Sequence, residues 1–226
     1  MADRFFISTP IKKPEDVIPH LAEGVRHWKK GYSAYELAYS WVKADGIPSP
    51  VRAVLEQSEE FQGMELVEGF FERETELRSR GRPSQTDLLA LISNGDGYAI
   101  LGIEGKVNEP FGELVSEWIS GGSEGKHKRL SVLTETLGLK DHDTGRLRYQ
   151  LLHRTAAAIF EAQRYRTSSA IMLVQSYSAD HRWFDDFQAF SEAIGAPVEE
   201  VNQLSEPVIV ESVSLRIGWV ADTPQP

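Results

Sequence analysis

The chain of 226 residues contains no cysteine. That absence excludes a disulfide framework, thiol nucleophiles and thiolate-held metals, and makes a reducing cytoplasm the expected setting. Long apolar runs are also missing. Stretches such as Leu88 to Ile92 and Ala170 to Val174 reach five residues, against the roughly 20 that a bilayer-crossing helix needs, so no membrane association is expected. Near the N-terminus, Asp3 and Arg4 precede only the brief Phe5-Phe6-Ile7 run, which lacks the apolar segment of a secretory signal. Positive charge is scarce, with 24 Lys and Arg against 34 Asp and Glu and a formal net charge of −10. Overall charge therefore does not drive nucleic-acid binding, which leaves only a local basic groove for that purpose.

Two familiar motifs are absent as well. Ser120-Gly121-Gly122-Ser123-Glu124-Gly125-Lys126 has Ser120 where a phosphate-binding loop requires its first glycine, and His127 where it requires Ser or Thr. The six histidines form no H-E-x-x-H pair. Nucleotide-cradling and zinc-protease chemistry both lose their usual signatures.

With 41% hydrophobic and 26% charged residues, the chain is long enough to bury one sizeable core, and a single domain over residues 1–226 is expected. Residues 14–31 read as weakly helical and are interrupted by Pro19. Ser33-Ala34-Tyr35-Glu36 has capping-box spacing, and Leu37, Ala38, Trp41 and Val42 then recur at helical intervals. Residues 1–48 are thus expected to form a helical extension. Pro50 opens a second helix whose apolar face is Val51, Val54, Leu55 and Phe61. From residue 65 to 77 the helical stripe is lost and Phe70 and Phe71 favour a strand.

Further on, Phe111, Leu114, Val115, Trp118 and Ile119 predict a helix from residue 110 to Gly121. Helices over 128–139 and 144–165, a strand over 169–176, a helix marked by Trp183, Phe187, Phe190 and Ile194, and a last strand around Val213, Leu215, Ile217 and Trp219 complete the order. The expectation is an α/β fold of the α+β mixed-sheet kind, with a core over 50–176 and residues 177–226 completing it.

The segment TDLLALISNGDGYAILGIEGKV, Thr86 to Val107, carries the chemistry. Asn94-Gly95-Asp96-Gly97 is a turn signal between two strand-like runs. A turn centred between Gly95 and Asp96 pairs residues whose numbers sum to 191, and so sets Asp87 opposite Glu104. Alternation along the strand then puts Glu104 and Lys106 on one face. Opposed carboxylates about 5 Å apart repel by roughly 3 kcal/mol at an effective dielectric near 20, a cost that a site can offset by holding a cation. Mg²⁺ suits such oxygen donors. A solvated ion cluster at the hairpin end is the competing reading of the same residues.

In element order and motif, this sequence resembles the PD-(D/E)XK nuclease superfamily. Asp87 stands on the second strand of the core and Glu104-Gly105-Lys106 on the third, and the resemblance covers roughly residues 50–176. The strings GRPSQTDLLAL, IEGKVNEPFGE and LLHRTAAAIFEA look more narrowly like those of an uncharacterised bacterial family assigned to that superfamily. The resemblance implies a restriction-endonuclease-like core of order αβββαβ, elaborated here by extra helices and a C-terminal strand. It further implies that Asp87 and Glu104 bind Mg²⁺, or Mn²⁺ in its place, and that Lys106 assists the nucleophilic water. The sequence departs from the family pattern in having Thr86 rather than proline before Asp87.

A third carboxylate could come from Glu56 or Glu59 on the preceding helix, or from Glu72 on the first strand. Gln150 and Arg154 fall on one side of the helix after Thr144 and are candidate supports, whereas Gln175 is weaker. Lys126, Lys128 and Arg129, with Arg78, Arg80 and Arg82, are the densest basic groups and candidate phosphate contacts. The implied function is metal-dependent hydrolysis of nucleic acid, with DNA the expected substrate. A noncatalytic nuclease-like binding or assembly module is the alternative, and a homodimer stays open.

Overall fold

The computed structural model describes residues 5–7, 10–21, 24–26 and 28–224. Asp3, Arg4 and parts of the 14–31 stretch lie outside the described residues. An eight-stranded mixed sheet organises the rest. Its strands are β1 (Phe5–Phe6), β2 (Glu65–Thr75), β3 (Ser84–Ser93), β4 (Tyr98–Lys106), β5 (Ser169–Ser176), β6 (Gln203–Leu204), β7 (Val208–Val210) and β8 (Val213–Ala221). They lie in the order β1-β2-β3-β4-β5-β8-β6, with β7 also paired to β8. Strands β2, β3 and β4 form an antiparallel meander, β5 runs parallel to both β4 and β8, and β1 runs parallel to β2.

Helices α1 (Ser33–Ala44) and α2 (Ser49–Leu55) cover one face of the sheet. Leu37, Trp41, Val51 and Leu55 pack there on Leu88, Leu101 and Ile103. Trp41 is fully buried, and burying a large side chain of this kind contributes roughly 1.5–3 kcal/mol, so α1 is part of the core layer. The opposite face is covered chiefly by α5 (Tyr149–Tyr165), flanked by α4 (Glu124–Thr136) and α6 (Phe184–Ala193). Leu151, Leu152, Ala156, Ile159, Leu133 and Phe187 fill that side with Ile100, Val174 and Trp219. Strand β5 is buried along its whole length, as expected of a parallel strand with helices on both faces.

The expected elements recur with shifted ends. The helix foreseen over 110–121 shortens to α3 (Val115–Ile119). Phe111 is instead buried from an irregular segment, and Leu114 bridges Arg148 in a short antiparallel contact. Tertiary pairing has overridden the helical stripe there. The 14–31 stretch contains the 3₁₀ segments Pro14–His20 and Gly24–Arg26 rather than an α-helix. The short edge strands β1, β6 and β7 carry too few residues to produce a periodic signal.

Candidate active site

The hairpin register is the one read from the turn. Ser93 pairs with Tyr98 and Leu88 with Ile103, and one further step sets Asp87 against Glu104. Along β4, Ile100 packs on the α5 side and Leu101 and Ile103 on the α1 side. Glu104 and Lys106 continue the first row and meet α5, and Gly105 faces α1, where a Cβ would meet Ser33 and Leu37.

Glu104 and Lys106 are both buried, at 2% and 3% exposure. Glu104 Oε1 accepts from Lys106 Nζ at 2.8 Å and from Gln150 Nε2 at 2.7 Å. Its Oε2 accepts from Arg154 Nε at 2.5 Å. Lys106 Nζ also donates to Gln150 Oε1 at 3.2 Å and lies 5.0 Å from the Phe111 ring centroid. Asp87 is half-buried; its Oδ2 accepts the Gly105 N–H at 2.9 Å, and its Oδ1 stands 3.7 Å from Arg154 Nη2. One guanidinium therefore serves both acids. Gln150 and Arg154 sit four residues apart, so they share a face of α5 above the strand ends.

Glu72 joins this group. Phe71 pairs with Leu88 and Arg73 with Thr86, which leaves Glu72 beside Asp87. Its φ of 53° lies in the left-handed region, a conformation that costs a non-glycine residue about 1–3 kcal/mol. Gln85 Nε2 donates to its Oε2 at 2.8 Å. Burial, then the neighbouring Asp87, pushes the Glu72 carboxyl up to about 8. Burial and Glu104 push Asp87 up to about 7. Glu104 goes the other way: burial opposes its charge, but Arg154 and Lys106 hold it down at about 2. Burial depresses Arg154, but Glu104 and Asp87 outweigh this and raise it. Three carboxylates thus meet two cations, and the positive charge is concentrated on Glu104.

Glu56 and Glu59 do not join the cluster. Glu56 caps the C-terminal end of α2 and pairs with Arg52 at 3.8 Å. Glu59 lines a hollow with Asn94, Asp96 and Tyr98 at the hairpin turn, the opposite end of β3 and β4 from the carboxylates. Gln175 is structural: buried, it accepts from Trp41 Nε1 at 2.8 Å and donates to Asp222 Oδ2 at 2.8 Å. Among the described residues, no group of three His, Cys, Asp or Glu side chains could hold a metal ion. The site offers oxygen donors in pairs, Asp87 with Glu104 and Asp87 with Glu72.

The basic residues separate. Lys126 and Arg129 line a pocket with Arg80 and Arg82, and Lys128 lines an adjoining hollow with Arg78. His153 connects that pocket with the carboxylates, since its Nδ1 shares a 2.8 Å hydrogen bond with Ser84 Oγ, which accepts from Arg154 Nη1 at 3.2 Å. Burial, then the charge of Arg154, pulls His153 down to about 3. Ser84 carries no motif, and only the fold brings it beside Arg154, whereas His153 is Arg154's neighbour in the chain. Gly121-Gly122-Ser123-Glu124-Gly125 has the G-x-S-x-G spacing of a nucleophile elbow, but Ser123 joins α3 to α4 rather than a strand to a helix, so that motif lacks its context.

No helix among the described residues is long and apolar enough to cross a membrane. No curated protein and no solved structure matches the chain. A family described as a domain of unknown function, DUF6946, matches residues 10–224. That span covers nearly all of the sheet and both helical layers, so the chain belongs to the DUF6946 family.

Proposed function

We propose that this protein is a metal-dependent phosphodiesterase of the PD-(D/E)XK kind that hydrolyses nucleic acid, with DNA the expected form. The observation carrying the reading is the convergence of Asp87, Glu104 and Lys106 where β3 begins and β4 ends, beneath Gln150 and Arg154 of α5. The order α2, β2, β3, β4, α5, β5 agrees with a restriction-endonuclease-like core, to which α3, α4 and the elements after β5 are additions.

The donor chemistry suits a hard divalent cation. Mg²⁺ commonly takes one or two carboxylates, completed by water and substrate phosphate oxygens, and Asp87 and Glu104 are such a pair. The upward shifts of Asp87 and Glu72 mark a place short of positive charge. Bound there, Mg²⁺ or Mn²⁺ would polarise a phosphoryl oxygen and make water more acidic.

The chain's own groups supply the remainder. Lys106 Nζ, held by Glu104 and Gln150, has a third N–H with which to orient a water. Asp87 would be occupied as a ligand of the cation, so the proton lost by that water passes to solvent. The water oxygen bonds to phosphorus, one P–O ester bond breaks, and the departing oxygen is protonated. Arg154 offers positive charge to the phosphoryl oxygens.

A noncatalytic nuclease-like module is the second reading, favoured by the saturation of Glu104, whose two oxygens already accept three donors. Cleavage of single- and double-stranded DNA and RNA with and without Mg²⁺, using Lys106→Ala as the matched control, separates the readings. The enzyme cleaves only with metal and loses cleavage in the variant. Equal cleavage by folded Lys106→Ala protein would overturn the assignment, and binding without cleavage under any divalent ion would favour the module.

A further inference from the structure

The first two turns of α5 present two neighbouring faces. Gln150 and Arg154 point to the carboxylates, and Tyr149 and His153 line a separate pocket of about 580 Å³ with Arg80, Arg82, Lys126 and Arg129. No Asp or Glu lines this pocket. Among the described residues, none of its four cationic side chains pairs with a carboxylate, although acids outnumber bases in the chain by 34 to 24. In so acidic a protein, unpaired cations gathered around one cavity call for an anionic ligand.

The pocket is also preformed. Arg129 is 9% exposed and donates from Nη2 to the Arg82 carbonyl at 2.6 Å, so it fastens the loop that carries Arg80 and Arg82. Gly81, at φ 123°, lies so close that a Cβ would come within 2.6 Å of Arg129 Nη1. Arg129 Nε is buried with no hydrogen-bond partner. Lys126 is fixed as well: its Nζ donates to the Trp118 carbonyl at 2.7 Å and sits 5.0 Å from the Trp118 ring centroid. That indole stacks on Tyr149 at 3.9 Å and 9°. The Trp118 ring is thus already engaged by Tyr149 and Lys126, so the pocket offers cationic donors rather than a free stacking platform. Arg80 continues into the adjoining hollow with Arg78 and Lys128, where Glu124 is the one acid.

We propose that this pocket is a backbone-phosphate subsite for a nucleic-acid strand, one hydrogen-bond relay (His153, Ser84, Arg154) away from Glu104. The proposal rests on the nucleic-acid reading of the carboxylate site and adds the route by which the strand reaches it. Cations that contact phosphates carry no sequence information. The subsite therefore fixes where the strand lies and not which bases it contains.

The test is equilibrium binding of a labelled DNA duplex to the full chain, by fluorescence anisotropy across a salt series with excess chelator, so that binding is measured without cleavage. Arg80 and Arg82 are exposed, and their side chains make no hydrogen bond or ion pair among the described residues, so the double variant Arg80→Gln/Arg82→Gln retains its fold. It should bind more weakly, with the slope of log affinity against log salt reduced by about 1.8, or about 0.9 per lost contact. Lys29→Gln/Lys30→Gln changes the net charge equally at another exposed place and should leave the slope unchanged. If the wild type binds duplex and Arg80→Gln/Arg82→Gln has the same affinity and slope, the subsite is overturned. Calorimetric binding of inorganic phosphate without duplex binding would assign the pocket to a free anion and overturn the backbone proposal. Salt-dependent duplex binding lost in the Arg80/Arg82 variant, with no cleavage under any divalent ion, would uphold the subsite while removing the enzyme reading.

Discussion

Arg154 Nε donates to Glu104 Oε2 at 2.5 Å, joining the second turn of α5 to the end of β4. Only 10% of the arginine side chain and 3% of the glutamate side chain are exposed. The pair therefore does two opposing things: it neutralises a carboxylate that burial would otherwise protonate, and it occupies an oxygen that a cation would need.

Arg154→Gln should expose that conflict. Removing one partner of a buried pair leaves its charge poorly compensated, here by Lys106 alone, at a cost of about 3 kcal/mol. Gln150→Ala removes a neutral donor and should cost about 1–2 kcal/mol. Denaturant melts in chelator measure both. If Arg154 also competes with metal, Mg²⁺ should recover more stability in Arg154→Gln than in the wild type. A variant as stable as the wild type without metal would mean that Arg154 does not neutralise Glu104.

The raised carboxyls give a pH dependence of definite sign. Asp87 and Glu72 bind protons more tightly folded, near 7 and 8, than unfolded, near 4. Over that interval the folded state carries more protons, so stability falls as pH rises. Their contribution is fully present below about pH 4 and lost as pH passes through 7 and 8. Glu104, held near 2, acts oppositely, and its contribution is lost only as pH falls below about 4. Melting temperature in chelator should therefore decline between pH 5 and 9 by less in Asp87→Asn and in Glu72→Gln than in the wild type. Parallel profiles for all three proteins would reject the crowding of these two acids.

The sequence made part of this site readable, for identifiable reasons. A tight Asn-Gly-Asp-Gly turn fixes the pairing of β3 with β4, and strict alternation then assigns Glu104 and Lys106 to one face, so those positions follow from local rules. Glu72 is different. Its place beside Asp87 depends on the β2–β3 register and on a left-handed φ that alternation does not foresee. Glu56 and Glu59 are equivalent to each other on the expected helix, but α2 ends at Leu55 and Glu59 opens a separate 3₁₀ turn, at an end of the sheet that the helical pattern does not reveal. The basic pocket was half legible, since Lys126 and Arg129 form a dense run. Its junction with Arg80, Arg82 and His153 depends on contacts among a loop and two helices far apart in sequence. Trp118, read as part of a core-facing stripe, instead stacks on Tyr149 at the pocket wall.

Gly105, between the acid and the lysine, tests whether that position needs glycine. A Cβ there would meet Ser33 Cβ at 3.4 Å, Asp87 Oδ2 at 3.6 Å and Leu37 Cβ at 3.6 Å, all ordinary contacts. Gly105→Ala should fold with a stability change below about 1.5 kcal/mol. Gly218 is the contrast, because its Cβ would stand 2.7 Å from both the Gln203 carbonyl oxygen and Leu173 Cδ2. Gly218→Ala should cost about 1–3 kcal/mol. Urea melts that ranked the two in the opposite order would contradict the packing on the α1 side of the sheet.

The sharpest test of a cation at this site uses Asp87→Asn at pH 8, where the wild-type Asp87 carboxyl is mostly charged. Without metal, that charge lies beside Glu72 and Glu104, offset by the shared Arg154 at 3.7 Å and, less strongly, by Lys106 and the Gly105 N–H. Replacing it by an amide relieves repulsion while keeping an acceptor for the Gly105 N–H. In chelator, Asp87→Asn should therefore melt at or above the wild-type temperature. With Mg²⁺ the order should reverse, because a ligand that binds only the folded state stabilises it by about 2.7 kcal/mol at one hundred times its dissociation constant, and the amide weakens that binding. A self-contained ion cluster makes a different forecast: Arg154 and Lys106 already compensate the acids, Asp87→Asn is neutral or destabilising, and Mg²⁺ changes neither protein. Melts of both proteins in chelator and then across a millimolar Mg²⁺ series separate the accounts. Equal Mg²⁺ responses would remove Asp87 from any metal site, even if the protein cleaves nucleic acid.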